Sequence, residues 1–259
     1  MIDGERRWTC AVKLNLTTIP ALVQPRPDAL ENLLLMFNIH ALREQWDLLT
    51  IALKLPKIIE LLQKKSKSTK KPTTKQLSEH TGLNRGLIER CRLLMNLPQK
   101  YKDQILEELR KPKSQQQFTE DLFIEMERAL TTVERSMPEA LKNDRDRARR
   151  VLLKKYADGV ITNIVQFRQI GKIARSDKVD IPRELALAEL NRLFQPNDCS
   201  IEDAYSRSVG EAYRERDIGT RIDSLLQLLS EIDIDTLEDD VRDKLERLVD
   251  RVRRILEIG

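Results

Sequence analysis

Two stretches of the chain carry side chains at spacings suited to gripping phosphate and reading bases. Gly4, Glu5, Arg6 and Arg7, at the start of a helix reaching Leu14, would offer backbone amides and two guanidinium groups to a phosphate. A surface ion pair of Glu5 with Arg6 or Arg7 fits the same four letters. Residues 74–91, TKQLSEHTGLNRGLIERC, have the pattern of a helix-turn-helix. Leu77, Leu83, Ile88 and Cys91 fall where two short crossing helices need apolar contacts, and Gly82 falls at the turn. Thr73 and Gln76 have capping-box spacing, and Asn84 can cap the second helix. With Ile88 and Cys91 facing inward, Asn84, Arg85, Glu89, Arg90 and Arg92 lie on or near the outer side. Such side chains read a major groove: Arg bonds guanine, Asn adenine and Glu cytosine. Lys75 and Gln76 would sit over phosphates and hold the register. A helix pair inside an ordinary bundle would also show a glycine between two amphipathic turns.

The elements that must position these residues read as helical almost throughout. The one strand expected is residues 17–24 (TTIPALVQ), and a second is expected to end just before Gly4. From Leu30 to Trp46 apolar residues recur at spacings of three and four, and the pattern continues past a break or kink at Pro56. Residues 63–72, with Lys64, Lys65, Lys67, Lys70 and Lys71, read as a linker. Helices are then expected over residues 72–98, 98–109, 119–135, 139–156, 160–175, 182–194, 200–216, 218–231 and 237–257. In the last, Val241, Leu245, Leu248, Val252 and Ile255 form a heptad seam. A hairpin with Ile222, Leu225 and Leu229, or a homodimer, would satisfy it equally.

Charge divides the chain. Residues 1–175 hold 33 Lys/Arg against 21 Asp/Glu, and residues 176–259 hold 13 against 21. Residues 51–113 alone hold 16 basic and 6 acidic side chains, a balance that attracts a polyanion unless the stretch is simply a solvated linker. Residues 142–150 (KNDRDRARR) are a second basic stretch, suited to a solvated helix face or to a DNA backbone. Three scattered cysteines and two histidines make neither a disulfide framework nor a zinc set, so Cys91 and Cys199 read as small buried hydrophobes. Eight glycines in 259 residues argue against an all-β fold, and no apolar run approaches membrane-spanning length. A cytoplasmic protein, associated with nucleoid or plasmid, is the expectation.

The order GERRW, TTIPALV, a helix with asparagine and arginine, and a helix-turn-helix ending in Met95, Asn96, Leu97 and Pro98 resembles the ParB partition-protein family over residues 1–136. The resemblance implies a mainly α chain in three parts: a truncated α+β nucleotide-binding fragment (1–62), an all-α helix-turn-helix domain (63–136) and a helical carboxyl-terminal region (137–259). It implies CTP with magnesium at Gly4, Glu5, Arg6 and Arg7, in a domain whose earlier strands would precede Met1. The family's ENxxR element admits two placements. Glu31 and Asn32 fit but put Leu35 where the arginine belongs, whereas Asn38 and Arg43 are five residues apart, about 140° around a regular helix. His40 could face Arg43 or Glu44, or be structural. The implied function is sequence-specific binding of double-stranded DNA in plasmid or chromosome partition, or in control of a mobile element, with a partition ATPase as partner. A nucleotide hydrolase or nuclease on the same scaffold is the alternative, and a helical interaction protein with an incidental basic face is the third reading.

Overall fold

The computed structural model describes residues 4–23, 25–41, 46–67, 69–232 and 238–257, with the backbone alone at 40, 41 and 257. Local capping chemistry decides where many of its helices begin. α1 (Glu5–Lys13) follows Gly4, whose φ of 90° lies in the left-handed region. α2 (Ala29–Met36) starts at a capping box in which Asp28 accepts from the Glu31 amide at 2.7 Å and Glu31 accepts from the Asp28 amide at 3.1 Å. A π-helical turn, Phe37–Ala41, extends it. α3 (Leu48–Ser66) is capped by Asp47, α4 (Thr74–Thr81) by Thr73 and α5 (Arg85–Met95) by Asn84. α6 (Gln99–Leu109) starts after Pro98, and α7 (Glu120–Ser136) is capped by Thr119.

Every regular element among the described residues is helical, so the mainly α expectation holds and the α+β fragment does not. Residues 17–23 are irregular. A strand needs a neighbour to take its amides, and no other strand exists among the described residues; Pro20 has no amide to give, and Leu22 and Val23 are 94% and 91% exposed. Gln24, and the strand expected just before Gly4, fall outside the described residues. α3 runs unbroken through Pro56, because burial of Leu49, Ala52, Leu55, Ile58 and Leu62 along one face outweighs the missing amide. The helix claims the first residues of the expected linker and closes at Lys67 in left-handed conformation.

Six more helices follow: α8 (Arg145–Ala157), α9 (Phe167–Ile173), α10 (Arg183–Leu193), α11 (Ile201–Ser208), α12 (Gly210–Ser230) and α13 (Asp239–Glu257). The helix expected over 139–156 is split by Lys142 and Asn143, both left-handed, and that over 200–216 ends early at Ser208. One apolar core runs from Leu30 to Val209 and crosses the boundaries expected at 62 and 136. α5 packs on α3 and α7, and α7 packs on α9, so the helix-turn-helix is built into the body rather than tethered to it. Cys91 and Cys199 are buried within that core, as their scatter suggests.

Only part of the stretch 142–150 is a solvated face: Lys142 and Arg150 are exposed, but its other arginines include buried and paired ones. Arg149 is buried and donates to Glu127 at 2.6 and 3.0 Å, and Arg145 donates to the same carboxylate at 2.9 Å. Asp146 accepts from Lys100 at 2.7 Å and from the Tyr101 hydroxyl at 2.8 Å. These bonds fasten α8 to α7 and α6. Buried Lys155 likewise donates to the Leu193 and Cys199 carbonyls, each at 2.7 Å, and so satisfies the end of α10.

Candidate nucleic-acid interface

The helix-turn-helix forms as its spacing dictates. Thr73 accepts from the Gln76 amide at 3.2 Å and Gln76 accepts from the Thr73 amide at 2.9 Å, a complete capping box. Gly82 closes α4 at φ 72°, a conformation a β-carbon would strain. The Ser78 hydroxyl donates to the Leu83 carbonyl at 2.6 Å across the turn, and Asn84 accepts from the Leu87 amide at 2.8 Å. Leu77, Leu83, Ile88 and Cys91 are all buried. Burial also pushes the Cys91 thiol up to about 12, so it is an unreactive core residue.

The outer side of α5 divides into an open end and a fastened end. Asn84, Arg85 and Gly86 are exposed on the first turn, and Arg85 makes no hydrogen bond or ion pair among the described residues. Asn84 uses its oxygen for the cap, which leaves its amide protons as donors. Further along, Glu89 accepts from the Thr74 hydroxyl at 2.5 Å, and Arg92 donates to the Pro72 carbonyl at 3.0 Å. Arg90 pairs with Asp121 at the start of α7. Three of the five residues expected to read bases therefore hold the unit together. Gln76 is engaged in its capping box, and Lys75, exposed, lies 3.9 Å from Glu79.

The structure supplies contacts that local spacing does not reveal. Glu120 accepts from the Leu49 amide at 2.5 Å, so α7 caps α3, and burial raises its carboxyl above the usual range. Asp121 is the other unforeseen partner, and the only signal for either is the acidic pair following Thr119. The basic excess is partly answered as well. Lys57 and Lys64 close on Glu60 at 2.9 and 2.6 Å and hold its carboxyl down at about 2. Lys65, Lys67 and Lys71 are exposed and have no such partner among the described residues.

The amino-terminal candidates are dispersed. Glu5, Arg6 and Arg7 are exposed on α1, where the Arg7 guanidinium lies 3.4 Å from the point a β-carbon on Gly4 would occupy. Glu31 and Asn38 line a cleft of about 360 Å³ with Pro25, Pro27, Leu34 and Leu35. Leu35, standing where the resemblance calls for arginine, is one of its apolar walls. Asn32 is half-buried on α2 and is not part of that lining; Arg43 and the His40 side chain lie outside the described residues. Glu31 already serves the Asp28 cap. Gly4, Glu5, Arg6 and Arg7 are not among the residues that line this cleft. Among the described residues no three His, Cys, Asp or Glu side chains converge on a point. No helix among them is long and apolar enough to cross a membrane.

Comparisons with protein-family models, with curated proteins and with solved structures find no match to this chain.

Proposed function

We propose that this chain is a sequence-specific double-stranded DNA-binding protein, of the ParB-like class its motif order resembles, acting in partition of a replicon or control of a mobile element. The observation that carries the reading is the exposed first turn of α5, where the Asn84 cap leaves its amide protons unused and Arg85 has no hydrogen bond or ion pair among the described residues. A helix amino terminus attracts phosphate, and an arginine there can take the two acceptors of guanine. The bonds from Thr74 to Glu89 and from Arg92 to the Pro72 carbonyl keep the start of α4, with Lys71 and Lys75 around it, beside α5. Those lysines supply the sequence-independent pull of the backbone. Glu89, Arg90 and Arg92 act in this reading as the rivets of the unit, and base recognition belongs to Asn84 and Arg85. Two copies joined through their carboxyl-terminal helices would read a palindrome.

Selection from a random duplex pool, followed by fluorescence anisotropy on the enriched sequence, tests the proposal. Affinity should fall with salt at a logarithmic slope of about −0.9 per phosphate neutralised. Arg85→Ala should cost about 1 to 3 kcal/mol and relax specificity at one position. Absent binding, or binding indifferent to salt and to Arg85→Ala, overturns it.

A further inference from the structure

α9, α11 and α12 enclose an open cleft of about 440 Å³, within the roughly 300 to 1,000 Å³ of small-molecule sites. Tyr205 and Tyr213 line it with ring centroids 6.3 Å apart and planes 29° from parallel. The Lys172 ammonium lies 5.6 Å from the first ring centroid and 5.1 Å from the second. Packing fixes this arrangement. A β-carbon on Gly210 would meet the Tyr205 carbonyl oxygen at 3.1 Å, a tight contact that glycine avoids where α12 starts beside α11. The Tyr213 hydroxyl donates to the Arg175 carbonyl at 3.4 Å, and Arg216 donates to the Lys178 carbonyl at 2.7 Å.

The charges of the cleft are unbalanced. Lys172 and Arg214 have no carboxylate partner among the described residues, and Arg216 is a third cation on the lining. Asp217 is the one acid there, and Arg221 answers it at 2.8 Å. The ligand must therefore be an anion. A bare oxoanion would meet the cations without stacking on either ring, and a neutral aromatic would leave the cations unanswered. A planar base carrying a phosphate engages both, since bases stack on tyrosine and phosphates take arginine and lysine. We propose that this cleft binds a nucleoside phosphate, its phosphate on Lys172 and Arg214 and its base against Tyr205 or Tyr213. The site is separate from α5 and does not rest on the duplex-binding reading.

Anisotropy of a fluorescein-labelled single-stranded oligothymidylate, titrated with the full chain, tests it. The strand should bind, and unlabelled TMP or AMP should displace it where inorganic phosphate at equal concentration does not. Displacement by mononucleotides assigns the site to free nucleotide, whereas displacement by unlabelled strand alone assigns it to single-stranded nucleic acid; both support the proposal. Arg214→Ala, Lys172→Gln and Tyr213→Leu should each weaken binding about tenfold, and Lys244→Gln, an exposed lysine of α13 that does not line the cleft, should leave it unchanged. Thermal melts accompany each variant; if Tyr213→Leu unfolds the chain, Arg214→Ala and Lys172→Gln decide. Absent binding, equal displacement by phosphate, or loss through Arg85→Ala but not through Arg214→Ala overturns the proposal.

Discussion

Glu127 is 3% exposed and takes hydrogen bonds from Arg145 and Arg149, so a buried charge is fully answered where α7 meets α8. Glu127→Gln leaves Arg149, itself 8% exposed, with an uncompensated charge, and should cost about 3 to 5 kcal/mol in urea unfolding. The exposed Lys244 and Asp240 pair on α13 is the control, since Asp240→Asn should change stability by less than about 1 kcal/mol. Equal effects would show that the α7 and α8 contact does not depend on this charge. Titration adds a second expectation. Arg168 above all holds the Glu125 carboxyl below the usual range, and Lys100 does the same for Asp146. A carboxyl lowered on folding adds stability above its unfolded value, and loses that contribution as pH falls through its folded one. Stability should therefore decline on acidification below about pH 4, and Asp146→Asn should flatten part of that slope. Glu120 works in the opposite sense: its raised carboxyl withdraws stability as pH climbs through the folded value. Identical acid slopes in the parent and Asp146→Asn would refute the assignment to Asp146.

At the scale of the element, the start of α5 has two duties that one substitution can separate. Asn84→Ala removes the cap and should cost about 0.5 to 2 kcal/mol. Asn84→Asp keeps the cap and suits the helix dipole, yet sets a negative charge where phosphate would approach. It should melt at or above the parent temperature while losing duplex affinity severalfold; preserved affinity would remove the first turn of α5 from the interface. The same helix pair marks what is legible in the sequence. The Thr73 and Gln76 box, the Gly82 turn and the Asn84 cap all close within three or four residues, so spacing alone specifies them. The partners of Arg90 and Arg92 are invisible to local spacing because Asp121 and the Pro72 carbonyl lie 31 and 20 residues away. Residues 17–23 have the composition of a strand, but pairing is a property of a neighbour, and no neighbour exists there among the described residues. The cleft at Tyr205 and Tyr213 escapes spacing for a like reason: Lys172 arrives from a helix more than thirty residues earlier.

Over the whole molecule, apolar burial stops at Val209 although two long helices follow. Ile218, Ile222, Leu225, Leu229 and Ile232 repeat at spacings of four and three, as do Val241, Leu245, Leu248, Val252 and Ile255. Only Leu225, Leu229, Val241 and Leu245 are half-buried; Ile222, Val252 and Ile255 stand 49%, 41% and 60% exposed. Two matched seams left this open contribute little to the fold of one chain, and each uncovered side chain would gain about 1.5 to 3 kcal/mol on full burial. A second copy carries the same pair of seams, and covering them would give a four-helix bundle with the two apolar-cored bodies at its periphery. Ending the chain after Thr220 tests this, since it keeps Tyr213 and the rest of the nucleotide cleft. Sedimentation equilibrium should find the full chain dimeric and the shortened chain monomeric. The shortened chain should retain a cooperative melt and bind a half-site, but lose the affinity that a palindrome confers by presenting two half-sites together. A monomeric full chain would break the link between these helices and assembly, and collapse of the shortened chain would show that they support the core after all.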